Sequence, residues 1–127
     1  MTDDELATAV IAAFTGDPDD LADMFADDGV FSEQPGEPPL RGTAEIIGFF
    51  MAYGGRREVA EVHDIFTAGT RGGLSYTVWF RSDAHNYGQH GRVLLTYDKP
   101  PVEGGQLTLW DGAWVELESG LQPWGGD

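Results

Sequence analysis

FADDGVFSEQPGEPPLRG, residues 25–42, decides how this chain is read. Val30 and Phe31 favour a short strand, and the Pro- and Gly-rich run at 34–40 forces a turn directly after it. Between strand and turn stands one carboxylate, Glu33. Held there against an apolar cavity it would be a candidate proton carrier, because desolvation raises a glutamate pKa from about 4.3 towards working pH.

On the N-terminal side, Leu6, Ala9, Val10, Ala13 and Phe14 follow the i, i+3, i+4, i+7 spacing of an amphipathic helix. Asp3 or Asp4 is its expected cap, and Thr15 and Gly16 its end. Asp17 then reads as the cap of a second, short helix, with Pro18 at its first position and Asp19 and Asp20 in its first turn. This acidic run lacks the twelve-residue spacing and terminal Glu of a calcium loop. On the C-terminal side, Thr43 caps a third helix with Ile46, Phe49, Phe50 and Tyr53 on one side, and Gly54 and Gly55 end it. The hydrophobic period then changes from helical to two. Residues 58–67, 74–82, 92–97 and 106–115 read as strands, separated by a Gly-rich turn at 69–73, a polar loop at 83–91 and a third connection at 99–105. Helices first and a mostly antiparallel sheet second predict an α+β fold. At 127 residues the chain is one domain, 1–127, with 119–127 expected as a loose C-terminal tail in which Trp124 could anchor.

Composition narrows the partners. The net charge of −15 arises from 22 acidic residues against seven basic ones, and repels nucleic acid and anionic membranes; neither is an expected partner. The absence of cysteine removes disulfides, thiolate nucleophiles and Cys-ligated metals together. No secretory leader or spanning segment is visible, so a cytoplasmic location is expected.

The order of elements, the FADD run and the PPLRGTAEIIGFF segment (38–50) together resemble the cone-shaped NTF2-like superfamily. The likeness is to its ketosteroid isomerase and SnoaL-like polyketide cyclase branches and spans roughly residues 4–116. The resemblance implies three N-terminal helices packed on a curved sheet, a cavity for a hydrophobic small molecule and a homodimer. It places the isomerase general base on Glu33, the oxyanion-hole tyrosine on Ala9, the second oxyanion donor on Val93 and a pocket aromatic on Trp114. Both donors are therefore missing, at a scale of about 3 kcal/mol of transition-state stabilisation each.

Glu61 and His63 lie on one face of the strand at 58–67, with Val62, Asp64 and Phe66 on the other. The apolar residues do not settle which face is inward, since Val59 and Ile65 favour the first and Val62 and Phe66 the second, and a bulge could switch parity midway. If the first face is inward, Glu61 or His63 would complement Glu33. A Glu33–Glu61 pair is similar to the carboxylates of epoxide-opening cyclases and hydrolases in the same superfamily, where no enolate is formed. On the strand at 74–82 both faces are bulky, as expected if one encloses a ligand and the other packs on a second subunit. His85 and His90, beside Asp83, read as loop residues, and neither metal nor cofactor is expected. No Gly-x-Ser-x-Gly elbow or Walker lysine is present.

The sequence thus predicts a cofactor-independent acid/base enzyme on a hydrophobic small molecule, an isomerase or cyclase. The catalytic candidates are Glu33, Glu61 and His63, and the substrate contacts Phe31, Phe50, Tyr76, Trp79, Tyr97 and Trp114. Two alternatives stand beside it: an epoxide-opening enzyme using the carboxylate pair, and a non-catalytic ligand-binding or dimerisation module.

Overall fold

Thr2, rather than Asp3 or Asp4, caps the first helix, α1 (Asp3–Phe14): its hydroxyl accepts from the Glu5 N–H at 3.1 Å while the Glu5 carboxylate accepts the Thr2 N–H at 3.2 Å. This reciprocal box satisfies two otherwise orphaned donors. In the computed structural model, which describes residues 1–53, 57–80 and 87–117, α1 buries Leu6, Ala9, Val10, Ala13 and Phe14, the face the spacing predicts. The second helix, α2 (Asp19–Asp23), starts behind Pro18 without a side-chain cap, so Asp17 does not hold the position expected of it.

The first strand, β1 (Phe25–Ser32), begins five residues before Val30, because Phe25 pairs with Leu107 across the sheet. Two residues, β2 (Leu40–Arg41), return alongside it, and α3 (Thr43–Tyr53) follows. The strands β3 (Arg57–Ala68), β4 (Arg71–Phe80), β5 (Tyr87–Tyr97) and β6 (Leu107–Leu117) then form an antiparallel meander. A tight turn at Gly69 and Thr70 joins β3 to β4, with Gly69 at φ 63°, the left-handed conformation such turns demand. The order across the single curved sheet is β2-β1-β6-β5-β4-β3, and β1 with β6 is its parallel pair. The expected Gly54–Gly55 helix end, His85 and the tail with Trp124 lie outside the described residues.

β5 starts well before Arg92, where the sequence reads as polar loop, and two glycines explain it. A Cβ on Gly88 would sit 2.6 Å from the Trp79 ring, and one on Gly91 would overlap the Tyr76 ring. Each glycine lets an aromatic side chain of β4 lie flat across β5, so residues that look like turn formers are strand residues here.

Parity on β3 switches midway. Ala60 and Val62 pack against the core, the register shifts between Val62 and Ile65, and Ile65 packs inward too. The bulge lets β3 curve with the sheet while keeping an apolar residue inward on both sides of it. The helices cover the concave face around one core that includes Leu6, Phe14, Phe31, Phe50, Tyr76 and Trp110, each at most 4% exposed. Burying such side chains contributes roughly 1.5–3 kcal/mol each. Among the described residues no helix is long and apolar enough to cross a membrane.

Candidate functional site

Alternation along β1 turns Phe31 towards the helices, and Glu33 stands one step past the end of the strand. Glu33 is half-buried, and its backbone carbonyl packs against β6, where a Cβ on Gly112 would sit 3.1 Å from it. Its neighbour Gln34 fixes this corner. The Gln34 amide donates to the Trp114 carbonyl at 2.9 Å and accepts the Trp114 N–H at 2.7 Å, so a side chain extends the parallel β1–β6 pairing beyond the end of β1. Trp114 is half-buried, and its indole Nε1 is a buried donor with no hydrogen-bond partner among the described residues. Such a donor costs roughly 1–3 kcal/mol if it stays unsatisfied. Tyr76 lies across Gly91, the residue paired with Trp114, so the row Tyr76, Gly91, Trp114 and Gln34 crosses this end of the concave face.

Deeper in, the sheet and helices are filled by rings. Phe31 stacks on Trp110 at 5.0 Å and meets Phe50 edge-on at 5.3 Å, and Phe14 stacks on Tyr76 at 4.7 Å. Phe31 and Phe50, expected as pocket walls, are 1% and 0% exposed and belong to this packed interior. Ala9 and Val93, the positions matched to the oxyanion donors, are buried in it as well. Tyr97 faces inward but at the opposite end, paired with Leu107, five residues of β6 and so roughly 16 Å from Gly112. Burial, and then the charge of Asp3, push its phenol up to about 12.

Two of the three catalytic candidates lie elsewhere. Glu61 pairs with Thr77, which alternates with the inward Tyr76 and Val78, so Glu61 and His63 stand exposed on the face turned away from the helices. The inward side of this half of β3 is taken by Ala60 and Val62. The structure therefore does not bring Glu61 or His63 to Glu33. Trp79 is on the outer face too, nearly buried over Gly88 rather than lining the concave side.

That outer face holds a cluster absent from the sequence reading. His63 Nε2 lies 2.7 Å from Thr77 Oγ1, and the same oxygen lies 3.0 Å from His90 Nδ1. His90 reads as a loop residue in the sequence because Gly88 and Gly91 disguise its strand. Period-two alternation from Tyr87 to Tyr97, with the glycines tolerated, was the available signal. Gln34, too, looked only like the first residue of a turn. Among the described residues no group of three or more histidines and carboxylates could hold a metal ion.

The profile of the SnoaL-like domain family matches residues 7–121. A hypothetical protein with a ketosteroid isomerase-like fold from Catenulispora acidiphila, solved in complex with trimethylamine, superposes with a TM-score of 0.68 at 21% identity, covering 93% of this chain and 88% of that one. A second solved structure, described as Rd1NTF2_04 with long sheet, gives a TM-score of 0.63 at 15% identity, covering 88% of this chain and 100% of that one. At these identities both likenesses establish the fold alone. No curated protein matches the chain.

Proposed function

Because the chain belongs to the SnoaL-like domain family, within the NTF2-like superfamily, we propose that it moves a proton on a hydrophobic small molecule without a cofactor, as an isomerase or cyclase with Glu33 as the acid/base group. The observation that carries this reading is the placement of Glu33: half-buried at the end of β1, two residues beyond the inward Phe31 and next to a residue clamped by two hydrogen bonds to β6. A carboxylate so positioned removes a proton from a carbon activated by a neighbouring carbonyl and returns it at another position, needing no second group for the transfer itself. Stabilising the intermediate oxyanion is the weaker half of the site. Ala9 and Val93 supply no donor, and among the described residues the Trp114 indole N–H is a buried donor with a bond still to make. One donor in place of two implies turnover lower by roughly 10²–10³ than a fully equipped enolate-forming site.

With Glu61 on the outer face, the epoxide-opening alternative loses its second carboxylate. The non-catalytic module is the second reading, favoured by the two apolar residues at the donor positions and the ring-filled interior. In either case the bulky outer face supports association as a homodimer.

The test is deuterium wash-in α to the carbonyl of a panel of hydrophobic ketones in heavy water. Wild-type protein is expected to catalyse exchange, and Glu33→Gln to abolish it while ligand-induced quenching of tryptophan fluorescence persists. Glu61→Gln should leave the rate within about twofold, being remote from the transfer. Exchange retained in Glu33→Gln eliminates the assignment, and ligand binding without exchange by the wild type favours the module.

A further inference from the structure

Phe66, Leu94 and Val115 stand 55%, 65% and 64% exposed on the face of the sheet turned away from the helices. A groove of about 320 Å³ runs beside them, lined by Phe66, Ser75, Arg92 and Leu94 among others. Among the described residues of β3–β6, charge on this face is nearly balanced, with Arg71 and Arg92 against Glu61, Asp64 and Asp111. By contrast, residues 1–23, which supply α1 and α2, hold seven carboxylates and no Lys or Arg. For a chain of net charge −15, a second copy is repelled at the helical side and met by a locally near-neutral, apolar surface here.

At the middle of this face one hydroxyl serves two imidazoles, His63 at 2.7 Å and His90 at 3.0 Å, with ring centroids 5.9 Å apart. A hydroxyl has one proton to give. With both rings neutral, or one charged, the chain of bonds is complete: one ring N–H donates to Thr77 Oγ1, and the hydroxyl donates to the lone pair of the other ring. With both charged, both nitrogens at Thr77 are donors, the hydroxyl proton has no ring acceptor, and two cations face one another. Among the described residues of β3–β6, the charged groups sharing the face are Glu61 and Asp64 on β3, Arg71 on β4, Arg92 on β5 and Asp111 on β6. Among the described residues none of them is ion-paired with either ring.

We propose that the His63–Thr77–His90 chain is a pH-dependent lock on self-association: the outer face pairs with a second copy while at most one of the two rings is charged, and separates when both are. The proposal rests on the homodimer put forward above and is independent of the role of Glu33. Covering the pair with a partner disfavours its second proton, so the dimer binds fewer protons than two monomers. Its stability is then present at higher pH and lost as pH falls through the histidine range. One unit of such a shift weakens association tenfold, and a two-fold dimer contains two pairs, giving about 100-fold. The overall charge works in the opposite direction. Protonating histidines makes the chain less negative, so repulsion between copies falls on acidification, and added salt suppresses that contribution.

Sedimentation equilibrium of the full chain at about pH 7.5 and about pH 5.5, in roughly 0.5 M salt, tests the lock. The wild type should dimerise at the higher pH and weaken at the lower, by about 100-fold at most, and the double variant His63→Gln/His90→Gln should dimerise equally at both. Leu94→Glu should abolish the dimer at either pH. A wild-type dimer as tight or tighter at the lower pH overturns the proposal, as does acid weakening that survives in the double variant. A dimer that persists in Leu94→Glu shows that another face is used and overturns it too. Monomer under every condition removes the homodimer along with the lock.

Discussion

Replacing Gln34 by Ala removes both bonds that tie the end of β1 to Trp114, at 2.7 and 2.9 Å. Neutral hydrogen bonds of this kind contribute about 0.5–1.5 kcal/mol each, so the pair is worth roughly 2 kcal/mol, less whatever water recovers at the freed backbone groups. For a chain of this length, with an unfolding entropy near 2.1 cal/mol/K per residue, that loss lowers Tm by roughly 7 °C. Circular dichroism melts together with urea titrations measure it. Gln34→Glu sharpens the test. It keeps an acceptor for the Trp114 N–H but sets a second oxygen against the Trp114 carbonyl, where only a protonated carboxyl could donate. The folded-state pKa of the new Glu would therefore be raised, its stabilising bond present below about pH 4 and lost as pH rises, so the gap to wild type should widen between about pH 4 and 7. A loss under about 0.5 kcal/mol in Gln34→Ala, or a Gln34→Glu deficit that does not change with pH, refutes the clamp and the positioning of Glu33 built on it.

Gly91→Ala should cost roughly 1–3 kcal/mol in urea unfolding, since the new methyl overlaps the Tyr76 ring and that ring is held by stacking on Phe14 at 4.7 Å; a neutral result would mean the ring has somewhere to go. Phe31→Ala, at the centre of the ring cluster, should lose roughly 3–5 kcal/mol by the same measurement, and a loss below about 1 kcal/mol would show the cluster to be loosely packed. Tyr97, with its phenol pushed up to about 12, should stabilise the fold below the ordinary tyrosine range near pH 10 and lose that contribution as pH climbs from there towards 12. Tyr97→Phe should flatten this alkaline decline, read as Tm against pH, and an unchanged slope would contradict it.

The helices and the general plan of the sheet were legible because they depend on short-range chemistry: spacing in α1, turn residues at 34–40, and the change of period after α3. What escaped depends on partners far away in the chain. Phe25 is strand because Leu107 pairs with it, and Gly88 and Gly91 are strand because aromatic side chains of β4 need the space. The inward face of β3 could not be read because its apolar residues obey two parities joined by a bulge, each half satisfying a different part of the core. For that reason the side of Glu61 and His63 stayed open in the sequence, and they turn out to lie on the outer face. The position of Glu33 at a strand end could be read from its flanks, a strand on one side and a turn on the other, whereas the clamp formed by Gln34 requires knowing that β6 returns to that point.

The position of β6 between β1 and β5 bears on how the chain matures. It is the final strand of the described chain to be synthesised, yet it joins the first hairpin to the meander, since among the described residues β1 has no other long partner. While a ribosome is still producing residues beyond 100, the two halves of the sheet exist apart and the corner around Glu33 has no opposite wall. The late, long-range closure is the costly step in loop entropy and slows folding accordingly. Shortening the chain before Trp114 would therefore cost the protein its proposed chemistry before its helices.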